Sequence, residues 1–594
     1  MSQDQAREYS PDVAFGKAVD SRLIKRLWPF LAPHRRLLFW ATLSYPLVSV
    51  MHLAQPYLIK VAIDEHLVPK KPEGFTTVVM MFVLVICGEF GARFMQAFLT
   101  QLLGQRTTRD LRRSLFSRLQ QVDVSYIERN PIGRLMTRVT NDVDALSEMF
   151  STGAISIIGD LVTLTGILVM MLALQPKLTL YAFSVLPVIG LIVMVMRRHA
   201  REAFRDVRTL LARMNAYLNE AVNGMSLIQS FVQETSAQGE FGEINARYRD
   251  ANFRAIRFDA MTYAIVEGIA TIAIALLLLF GIGLFEEGAV EIGVFIAFIE
   301  YLRRFFAPVT ELSTKYTVLQ SAMASAERCV ELLDREPTII DDPKVDLPAA
   351  ASDIHFEGVH FGYRPNEPIL RGLDLKVASG EKVAIVGATG AGKSTIVKLL
   401  ARFYDPSGGR ITFGGVDLKD VALGEWRSRL AVVLQDPYLF DGTIRENISL
   451  GDPDVDPARM QDAAARTQAQ VVIDKLAEGW EAPVGERGAR LSAGERQLIA
   501  FARALARNPE VLVLDEATSS VDPETEGLIQ KGLEALIEDR TAVIIAHRLT
   551  TIERADRIIV LGGGGILEQG THQDLLELGG TYRSLYELQF SQPE

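Results

Sequence analysis

The sequence contains very few cysteines. Of its 594 residues only Cys87 and Cys329 carry a thiol, one inside an apolar run and one in a helix-forming stretch. Two such residues are too few for a disulfide framework or a cysteine-based zinc site. The sequence therefore gives no reason to expect an oxidising compartment.

An excess of positive charge is also missing. The chain has 62 Lys and Arg residues against 73 Asp and Glu residues, which gives a formal net charge of -11. Proteins that bind nucleic acid usually carry a basic stripe or a basic domain, so a nucleic-acid partner is not expected. The opening MSQDQAREYS is polar and lacks a basic segment followed by a short apolar core, so we expect no cleavable signal peptide.

Long apolar runs fill the first half of the chain. Runs of membrane-spanning length predict six spans, at about residues 37–61, 77–103, 152–174, 178–196, 261–284 and 292–312. The remaining chain alternates short apolar strands with charged, glycine-containing turns. We therefore expect a cytoplasmic segment with an interfacial helix at 1–36, a transmembrane domain at 37–325, a linker at 326–352 and a soluble domain at 353–594.

Basic residues next to the spans predict the orientation. They cluster before the first span, after the second and after the fourth, as Arg22, Lys25, Arg26, Arg35 and Arg36, then Arg106, Arg109, Arg112, Arg113 and Arg118, then Arg197, Arg198, Arg201, Arg205 and Arg208. Positive loops stay on the cytoplasmic side of a membrane. Both termini and both long loops are therefore expected in the cytoplasm.

The two cytoplasmic loops, at about 104–150 and 197–258, are rich in helix-forming residues. Twenty-odd helical residues would extend a span by roughly 30 Å beyond the bilayer. Each loop has a break near its middle, NPIGR at 130–134 and NGM at 223–225. We expect these breaks to let a short transverse segment contact the soluble domain.

Several charged residues fall inside the predicted spans, where an isolated charge is costly. They are Glu89 with Arg93, Asp160, Glu267, and Glu300 with Arg303 and Arg304. Charges spaced three or four residues apart can neutralise each other on one helix face. For Asp160 and Glu267 the sequence leaves open both a contact with substrate and a structural role.

The soluble half contains a phosphate-binding pattern. KVAIVGATGAGKSTIVKLL predicts a buried strand, a glycine-rich turn and a helix from Lys393, the context that G-x-x-x-x-G-K-[ST] requires. Backbone N–H groups of the turn and the helix N-terminus would surround a polyphosphate. We expect Lys393 to reach the β and γ phosphates and Ser394 to ligate Mg²⁺. The predicted nucleotide-binding residues of this loop are Gly387, Thr389, Gly390, Ala391, Gly392, Lys393, Ser394 and Thr395.

Two more apolar strands end in residues suited to phosphate hydrolysis. VLVLDEATSSVD predicts a buried parallel strand that ends in Asp515, a ligand for Mg²⁺, and Glu516, which would polarise the attacking water. TAVIIAHRL predicts another strand, which ends in His547. The imidazole of His547 would contact the γ-phosphate, although an isolated histidine at such a place is more often structural.

Taken in order, these elements resemble the ATP-binding cassette of the ABC transporters over about residues 353–590. The resemblance implies that Tyr363 in FGYRP stacks on adenine and that Gln435 in VVLQDPYLF contacts both Mg²⁺ and the attacking water. It also places Asp522 in the nucleotide site. The cofactors that it implies are ATP and Mg²⁺.

LSAGERQ at 491–497 resembles the signature of the same family, and VGERG at 484–488 resembles the segment that exporters place beside it. The resemblance implies that Ser492 and Gly494 present a hydroxyl and a backbone N–H to the γ-phosphate. Ala493 and Glu495 depart from the commoner LSGGQ. We expect that departure to affect rate and to leave phosphate recognition intact.

Six spans ahead of one cassette resemble an exporter-type half-transporter. The implied fold is an α-helical transmembrane domain followed by an α/β P-loop NTPase domain, in a multi-pass protein of a bacterial inner membrane. The implied partners are a second half-transporter chain, identical or related, membrane lipid, and a hydrophobic or amphipathic small molecule. Two chains would form two composite ATP sites, each pairing one phosphate loop with the partner's signature.

Other functions remain open at this point. An ABC-type ATPase of DNA repair or of the ribosome is disfavoured by the spans and by the acidic charge. A lipid flippase and a peptide exporter fit the same frame, and so does a nucleotide-gated channel. Glu516 favours sustained hydrolysis, and hence pumping, over gating.

Overall fold

The polypeptide forms two separate units. The computed structural model describes residues 20–184, 186–288, 290–364, 366–515, 523–546 and 549–590. The first unit contains the residues up to Gln120 together with Ile132–Arg335, and the second contains Gln121–Pro131 together with the residues from Glu336 on. A short piece of the first cytoplasmic loop therefore belongs to the second unit.

The first unit is built from helices that are much longer than a bilayer requires. Their bounds are Ser21–Leu31, Arg35–Val61, Phe75–Gln121, Ile132–Val139, Asn141–Glu148, Ala154–Leu174, Pro176–Phe183, Leu186–Asn223, Met225–Ser230, Glu234–Glu286 and Ile292–Leu333. The 53 residues of Glu234–Glu286 measure roughly 80 Å at the usual helical rise. This helix alone exceeds twice the hydrocarbon thickness of about 30 Å, so the expected extension of the spans is found.

Four helical stretches of the described chain are long and apolar enough to cross a membrane. They are Ser21–Leu67, Phe75–Gln121, Ile132–Leu174 and Glu234–Glu286, and they contain the first, second, third and fifth predicted spans. The segment 292–312 is also helical, but three charges within five residues, Glu300, Arg303 and Arg304, dilute its apolar character. The segment 178–196 lies on the helices that begin at Pro176 and Leu186.

Side chains of the first span pack closely against glycines of the third. A Cβ atom added at Gly159 would lie 2.0 Å from the ring of Tyr45, and one added at Gly166 would lie 2.4 Å from Leu53. Glycine at both positions lets the two helices approach closely, which is the usual way helices associate in lipid. The third to sixth spans share a second apolar cluster, which includes Met171, Leu178, Ala273, Leu277 and Phe298.

Most of the charges inside the spans are paired. Asp160 Oδ2 lies 2.6 Å from Lys315 Nζ, a residue of the helix Ile292–Leu333. Glu89 accepts hydrogen bonds from Gln55 and from Arg93 Nε, so three polar side chains link the first and second spans. The structure thus explains Asp160 by an ion pair between two helices, and Glu89 by an ion pair within its own helix and a hydrogen bond from Gln55 of the first span.

Glu267 differs from these paired residues. Its side chain is exposed on the single chain, on the same helical face as Tyr263 and Thr271, which are exposed as well. A stripe of a carboxylate, a phenol and a hydroxyl is unfavourable against lipid tails. This face of the fifth span is therefore suited to an aqueous cavity or to a polar ligand.

In the part of the chain that the structure describes, the second unit contains ten strands in two sheets. Their bounds are Ile354–Phe361 (β1), Leu370–Val377 (β2), Lys382–Gly387 (β3), Gly408–Phe413 (β4), Val416–Asp417 (β5), Leu430–Val433 (β6), Val511–Asp515 (β7), Thr541–Ile545 (β8), Arg557–Gly562 (β9) and Gly565–Gly570 (β10). One sheet is antiparallel with the order β2-β1-β4-β5. The other has the order β10-β9-β3-β8-β7-β6, and all its neighbouring strands are parallel except β10 and β9.

The helices of the second unit surround the parallel sheet. They are Val124–Arg129, Lys393–Leu400, Leu423–Arg429, Ile444–Ser449, Pro457–Arg466, Ala469–Lys475, Ala493–Ala506, Pro523–Ile537, Leu549–Glu553, His572–Leu578 and Thr581–Phe590. Successive side chains of a strand point to opposite faces, so each parallel strand feeds two apolar layers. Val383 and Ile385 share one layer with the helix Lys393–Leu400. Ala384 and Val386 share the other with the helix Ala493–Ala506.

We predict that the Asp160–Lys315 pair stabilises the membrane unit. Removing one partner leaves the other charge without its counter-ion in a poorly solvated place, so Asp160→Asn should lower the free energy of unfolding by about 3 kcal/mol. The double variant Asp160→Asn, Lys315→Met should recover most of this loss, because both charges are gone. Melting temperatures of the purified variants in detergent measure the effect. A double variant as unstable as the single one would contradict the prediction.

Candidate functional site

The phosphate loop follows β3 and needs its glycines. Gly390 and Gly392 have φ angles of +86° and +99°, a region that favours glycine. A Cβ atom added at Gly387 would lie 2.4 Å from the carbonyl oxygen of Leu561, so only glycine fits there. The sequence pattern and the backbone therefore agree on a tight turn in front of the helix Lys393–Leu400.

Lys393 lies over this loop. Its Nζ donates hydrogen bonds to the carbonyl oxygens of Gly387, at 2.7 Å, and Ala388, at 3.2 Å. Burial lowers the pKa of Lys393, and the attraction of Asp515 opposes that shift. The ammonium group is thus held by loop carbonyls within the field of the carboxylate that ends β7, where a polyphosphate would supply stronger partners.

The remaining loop residues differ in exposure. Thr389, Gly390 and Ser394 are exposed, whereas Thr395 is buried. Ala391 is half-buried. The exposed Ser394 hydroxyl at the start of the helix is therefore accessible to a ligand from outside the unit.

Parallel pairing brings the other site residues to the same edge of the sheet. Asp515 is in register with Ile545 of β8, and Ile545 is in register with Ile385 of β3. Two strand spacings separate Asp515 from Ile385, which is roughly 10 Å. Gln435 is exposed and follows β6, the strand beside β7.

Ser394, Asp515 and Gln435 therefore end up at one edge, although nothing in their sequence spacing shows it. Their hydroxyl, carboxylate and amide oxygens are the hard ligands that Mg²⁺ prefers. The donor set fits the predicted cation. Three predicted site residues, Glu516, Asp522 and His547, lie outside the described residues.

Tyr363 belongs to a cluster of aromatic rings beside the phosphate helix. Its ring lies edge-on to Phe361 and Tyr404, with centroid distances of 5.1 and 5.3 Å. Its hydroxyl lies 3.4 Å from Thr395 Oγ1. The aromatic residue expected to stack on adenine is therefore positioned next to the helix that begins the phosphate site.

The signature begins the helix Ala493–Ala506 with a capping box. Glu495 N donates to Ser492 Oγ at 3.2 Å, and Ser492 N donates to Glu495 Oε2 at 2.8 Å. Gly494, which lies between these two residues in the signature, is buried. The comparison with LSGGQ does not reveal this role of Glu495, which the S-x-x-E spacing could have indicated.

The phosphate loop and the signature lie on opposite sides of the same sheet. The helix that follows the loop packs in one apolar layer, and the signature helix packs in the other. Within the described residues no hydrogen bond joins Ser492 or Gly494 to the loop 387–395. One chain alone therefore does not bring the two predicted halves of the site together.

Residues 121–131 of the first loop are held within the second unit by contacts that no sequence pattern indicated. The helix Val124–Arg129 directly precedes the NPIGR break, and its Glu128 accepts hydrogen bonds from Lys398 Nζ and Tyr404 Oη, both at 2.7 Å. The expected contact of a short segment with the soluble part is thus found for the first loop. The break at 223–225 is followed by the short helix Met225–Ser230 of the first unit.

Comparisons with known proteins agree with this architecture. A family model described as the ABC transporter transmembrane region matches residues 38–309, and one described as ABC transporter matches residues 370–519. The ATP-dependent lipid A-core flippase of Syntrophus aciditrophicus (strain SB) is 32% identical over 571 residues, which cover 96% of this chain and 95% of that protein. The fatty acid ABC transporter ATP-binding/permease protein of Mycobacterium bovis (strain ATCC BAA-935 / AF2122/97) is 36% identical over 520 residues, which cover 87% and 82%.

A solved structure shows the same fold along the chain. It is that of a bacterial Atm1-family ABC exporter with ATP bound, at 28% identity and a TM-score of 0.77, and the match covers 94% of this chain and 99% of that one. The chain is a membrane-bound ATPase with a helical transmembrane region fused to a nucleotide-binding domain. It belongs to the ABC transporters, as a half-transporter of the exporter type.

Membership confirms several expectations from the sequence. The protein binds ATP, hydrolyses it and couples the hydrolysis to transport across a membrane, which it crosses several times. The predicted fold class is confirmed as well. A half-transporter carries one cassette, so its working form is a dimer.

We predict that Glu495 stabilises the start of the signature helix through the capping box. Glu495→Ala should lower the free energy of unfolding by about 1 kcal/mol, because the backbone N–H of Ser492 loses its side-chain partner. Glu495→Gln should keep nearly full stability, since an amide oxygen can accept the same bond. Thermal unfolding of the purified protein distinguishes the two variants. Equal losses in both would show that the box contributes nothing.

Proposed function

We propose that two identical copies of this chain form an ATP-driven exporter with two composite ATP sites. The observation that carries the proposal is the placement of the phosphate loop and the signature on opposite sides of one sheet. Facing copies can bring the loop of one protomer to the signature of its partner. A homodimer suffices, because each chain carries both halves of a site.

Each composite site would use the residues that line one edge of the parallel sheet. The loop 387–395 surrounds the phosphates, and Tyr363 stacks on adenine. Ser394, Asp515 and Gln435 hold Mg²⁺, which neutralises phosphate charge when it is bound.

The remaining roles fall on residues outside the described part and on the partner protomer. Glu516 acts as general base toward the attacking water, and His547 contacts the γ-phosphate. Asp522 lies in the same site. The partner's signature closes the site through the Ser492 hydroxyl, whose proton stays available because Ser492 Oγ serves as the acceptor in the capping box.

The transported substrate is a hydrophobic or amphipathic molecule, a lipid or a drug. Two relatives are named for lipid A-core and for fatty acid, both of which are amphipathic. In this chain the exposed stripe of Tyr263, Glu267 and Thr271 offers polar groups within an apolar span. A carboxylate there favours molecules that combine an apolar body with a positive group.

The protein is proposed to lie in a bacterial inner membrane with the cassette in the cytoplasm. The basic loops support this orientation. In this arrangement residues 37–325 form the transmembrane domain and residues 353–594 the cassette. Export then moves the substrate from the cytoplasm or the inner leaflet to the outside.

We predict that two inactive variants restore each other in a mixed dimer. Lys393→Ala disables the phosphate loop and Ser492→Arg disables the signature, so each variant alone should lose ATP turnover by about a hundredfold or more. A mixed dimer contains one composite site with an intact Lys393 and an intact Ser492. Co-expression with two affinity tags, purification over both and an ATPase assay measure the recovery.

The tags also provide the control for this experiment. Two differently tagged copies of the same variant should co-purify and remain inactive. Mixed dimers that co-purify without any recovery of turnover would contradict the composite site. Failure of the two tags to co-purify would contradict the homodimer.

We predict that Glu267 contributes to recognition of positively charged amphiphiles. Glu267→Gln should weaken the stimulation of ATPase activity by cationic amphiphiles several-fold and leave the unstimulated rate unchanged, because the residue is far in sequence from the nucleotide site. A panel of lipids and drugs tested in proteoliposomes measures this. The double variant Asp160→Asn, Lys315→Met serves as a comparison, since it removes a paired carboxylate from the spans and should keep most of its stability. Unchanged stimulation by every cationic member of the panel would contradict the assignment.

A further inference from the structure

The segment Gln121–Pro131 is fixed to the second unit at both of its ends. At one end Asp123 accepts hydrogen bonds from Thr338 N at 2.7 Å, Thr338 Oγ1 at 2.5 Å and Ile339 N at 3.2 Å. At the other end Arg129 Nη2 donates to the carbonyl oxygen of Tyr363 at 3.0 Å. The first loop therefore contacts the backbone of the residue assigned to adenine.

Glu128 makes the central contact of this segment. One carboxylate oxygen lies 2.7 Å from Lys398 Nζ and the other lies 2.7 Å from Tyr404 Oη. Burial raises the pKa of Glu128, but its hydrogen bonds to Lys398 and Tyr404 outweigh burial and lower it overall. Both oxygens of an ionised carboxylate are thus engaged, each in a charge-assisted bond.

Lys398 and Tyr404, the two partners of Glu128, both contact the ring of Tyr363. Lys398 Nζ lies 5.2 Å from the ring centroid of Tyr363, within the range of a cation–π interaction. The Tyr404 ring meets the Tyr363 ring edge-on at 83°. Without Glu128, the ammonium group of Lys398 would lose the acceptor that keeps it near the Tyr363 ring. Tyr404 would lose the hydrogen bond that fixes the plane of its own ring.

We propose that Glu128 is a positioning residue for base recognition, which acts through Lys398 and Tyr404 to fix the ring of Tyr363. The free energy of adenine binding is then linked to the docking of residues 121–131, and linkage makes the effect reciprocal. Adenine binding strengthens the hold of the cassette on the first loop, and a docked loop strengthens adenine binding. This inference rests on the proposed function in one respect, that Tyr363 stacks on adenine.

The linkage concerns the base and not the phosphates. The contacts of Glu128 lead to the aromatic cluster, whereas the phosphate loop is held by its own glycines and by Lys393. Loss of Glu128 should therefore weaken the binding of a ligand that contains adenine. It should leave unchanged the binding of a ligand that consists of phosphates alone. This difference separates a positioning role from a general loss of stability.

The test compares two ligands on the full-length protein in lipid nanodiscs. We expect Glu128→Gln to raise the Kd of the non-hydrolysable analogue AMP-PNP about three- to tenfold, the range that a cation–π contact provides. The Kd of inorganic triphosphate, measured by the same titration calorimetry with Mg²⁺, should stay unchanged. An equal rise in both Kd values, or no change in either, would overturn the proposal.

A matched control and a double variant complete the design. Glu357→Gln breaks an exposed ion pair with Arg410 in the same unit, at 2.7 Å, and should leave both Kd values unchanged. Tyr363→Leu alone should raise the Kd of AMP-PNP. Adding Glu128→Gln to this variant should then change the Kd no further. A full additional effect in the double variant would show that Glu128 acts independently of Tyr363 and would overturn the proposal.

The same variants distinguish failure of this inference from failure of the proposed adenine site. If Tyr363→Leu leaves the Kd of AMP-PNP unchanged, the stacking role of Tyr363 is wrong and the inference falls with it. If Tyr363→Leu raises the Kd of AMP-PNP and Glu128→Gln does not, only the inference about Glu128 is wrong.

Hydrogen exchange gives a second, independent measurement. AMP-PNP should protect the amides of residues 121–131 more than inorganic triphosphate does, and Glu128→Gln should abolish this difference. Equal protection by the two ligands in the unaltered protein would contradict the linkage.

Discussion

Parallel pairing of β3, β8, β7 and β6 is the constraint on which the nucleotide site depends. Strands that run the same way end at the same edge, so residues that are more than a hundred positions apart meet there. Their side chains are buried on both faces, and this fixes the register, because a shift by one residue would exchange the two apolar layers. The chemistry at the edge is thus positioned by apolar residues that never contact a nucleotide.

The same sheet explains why one chain is insufficient. Its two faces are covered by different helices, one that starts at the phosphate loop and one that starts at the signature. Both helix N-termini carry partial positive charge suited to phosphate. Because the sheet lies between them, the proposed composite site requires two cassettes that face each other.

Much of this architecture was predictable from the sequence. The phosphate loop has a local signature, since glycine spacing, a preceding apolar strand and a following helix all occur within twenty residues. Long apolar runs gave four of the spans by hydropathy alone. The segment from Glu300 to Arg304 shows the limit of this criterion, because Arg304 is held by Glu300 on its own helix and by His52 and Gln55 of the first span, and hydropathy does not count such partners.

Contacts between distant segments were not predictable in the same way. Asp160 looked unpaired because its partner, Lys315, lies just outside the predicted sixth span. Glu128 belongs to a loop, and its partners lie some 270 residues further along the chain, at Lys398 and Tyr404. A single sequence carries no signal for such pairs, whereas the capping box of Ser492 and Glu495 is local and could have been read from its spacing.

The assignment of Gln121–Pro131 to the second unit has a consequence for how the cassette is produced on its own. A fragment that begins at Glu336 would include the whole sheet and still omit one helix of the folded unit. The backbone N–H groups of Thr338 and Ile339 would then lose their acceptor, Asp123. Lys398 would face solvent in place of the Glu128 carboxylate. Turnover measured on such a fragment describes a cassette that lacks these contacts, and it should not be taken as the intrinsic rate of the cassette within the transporter.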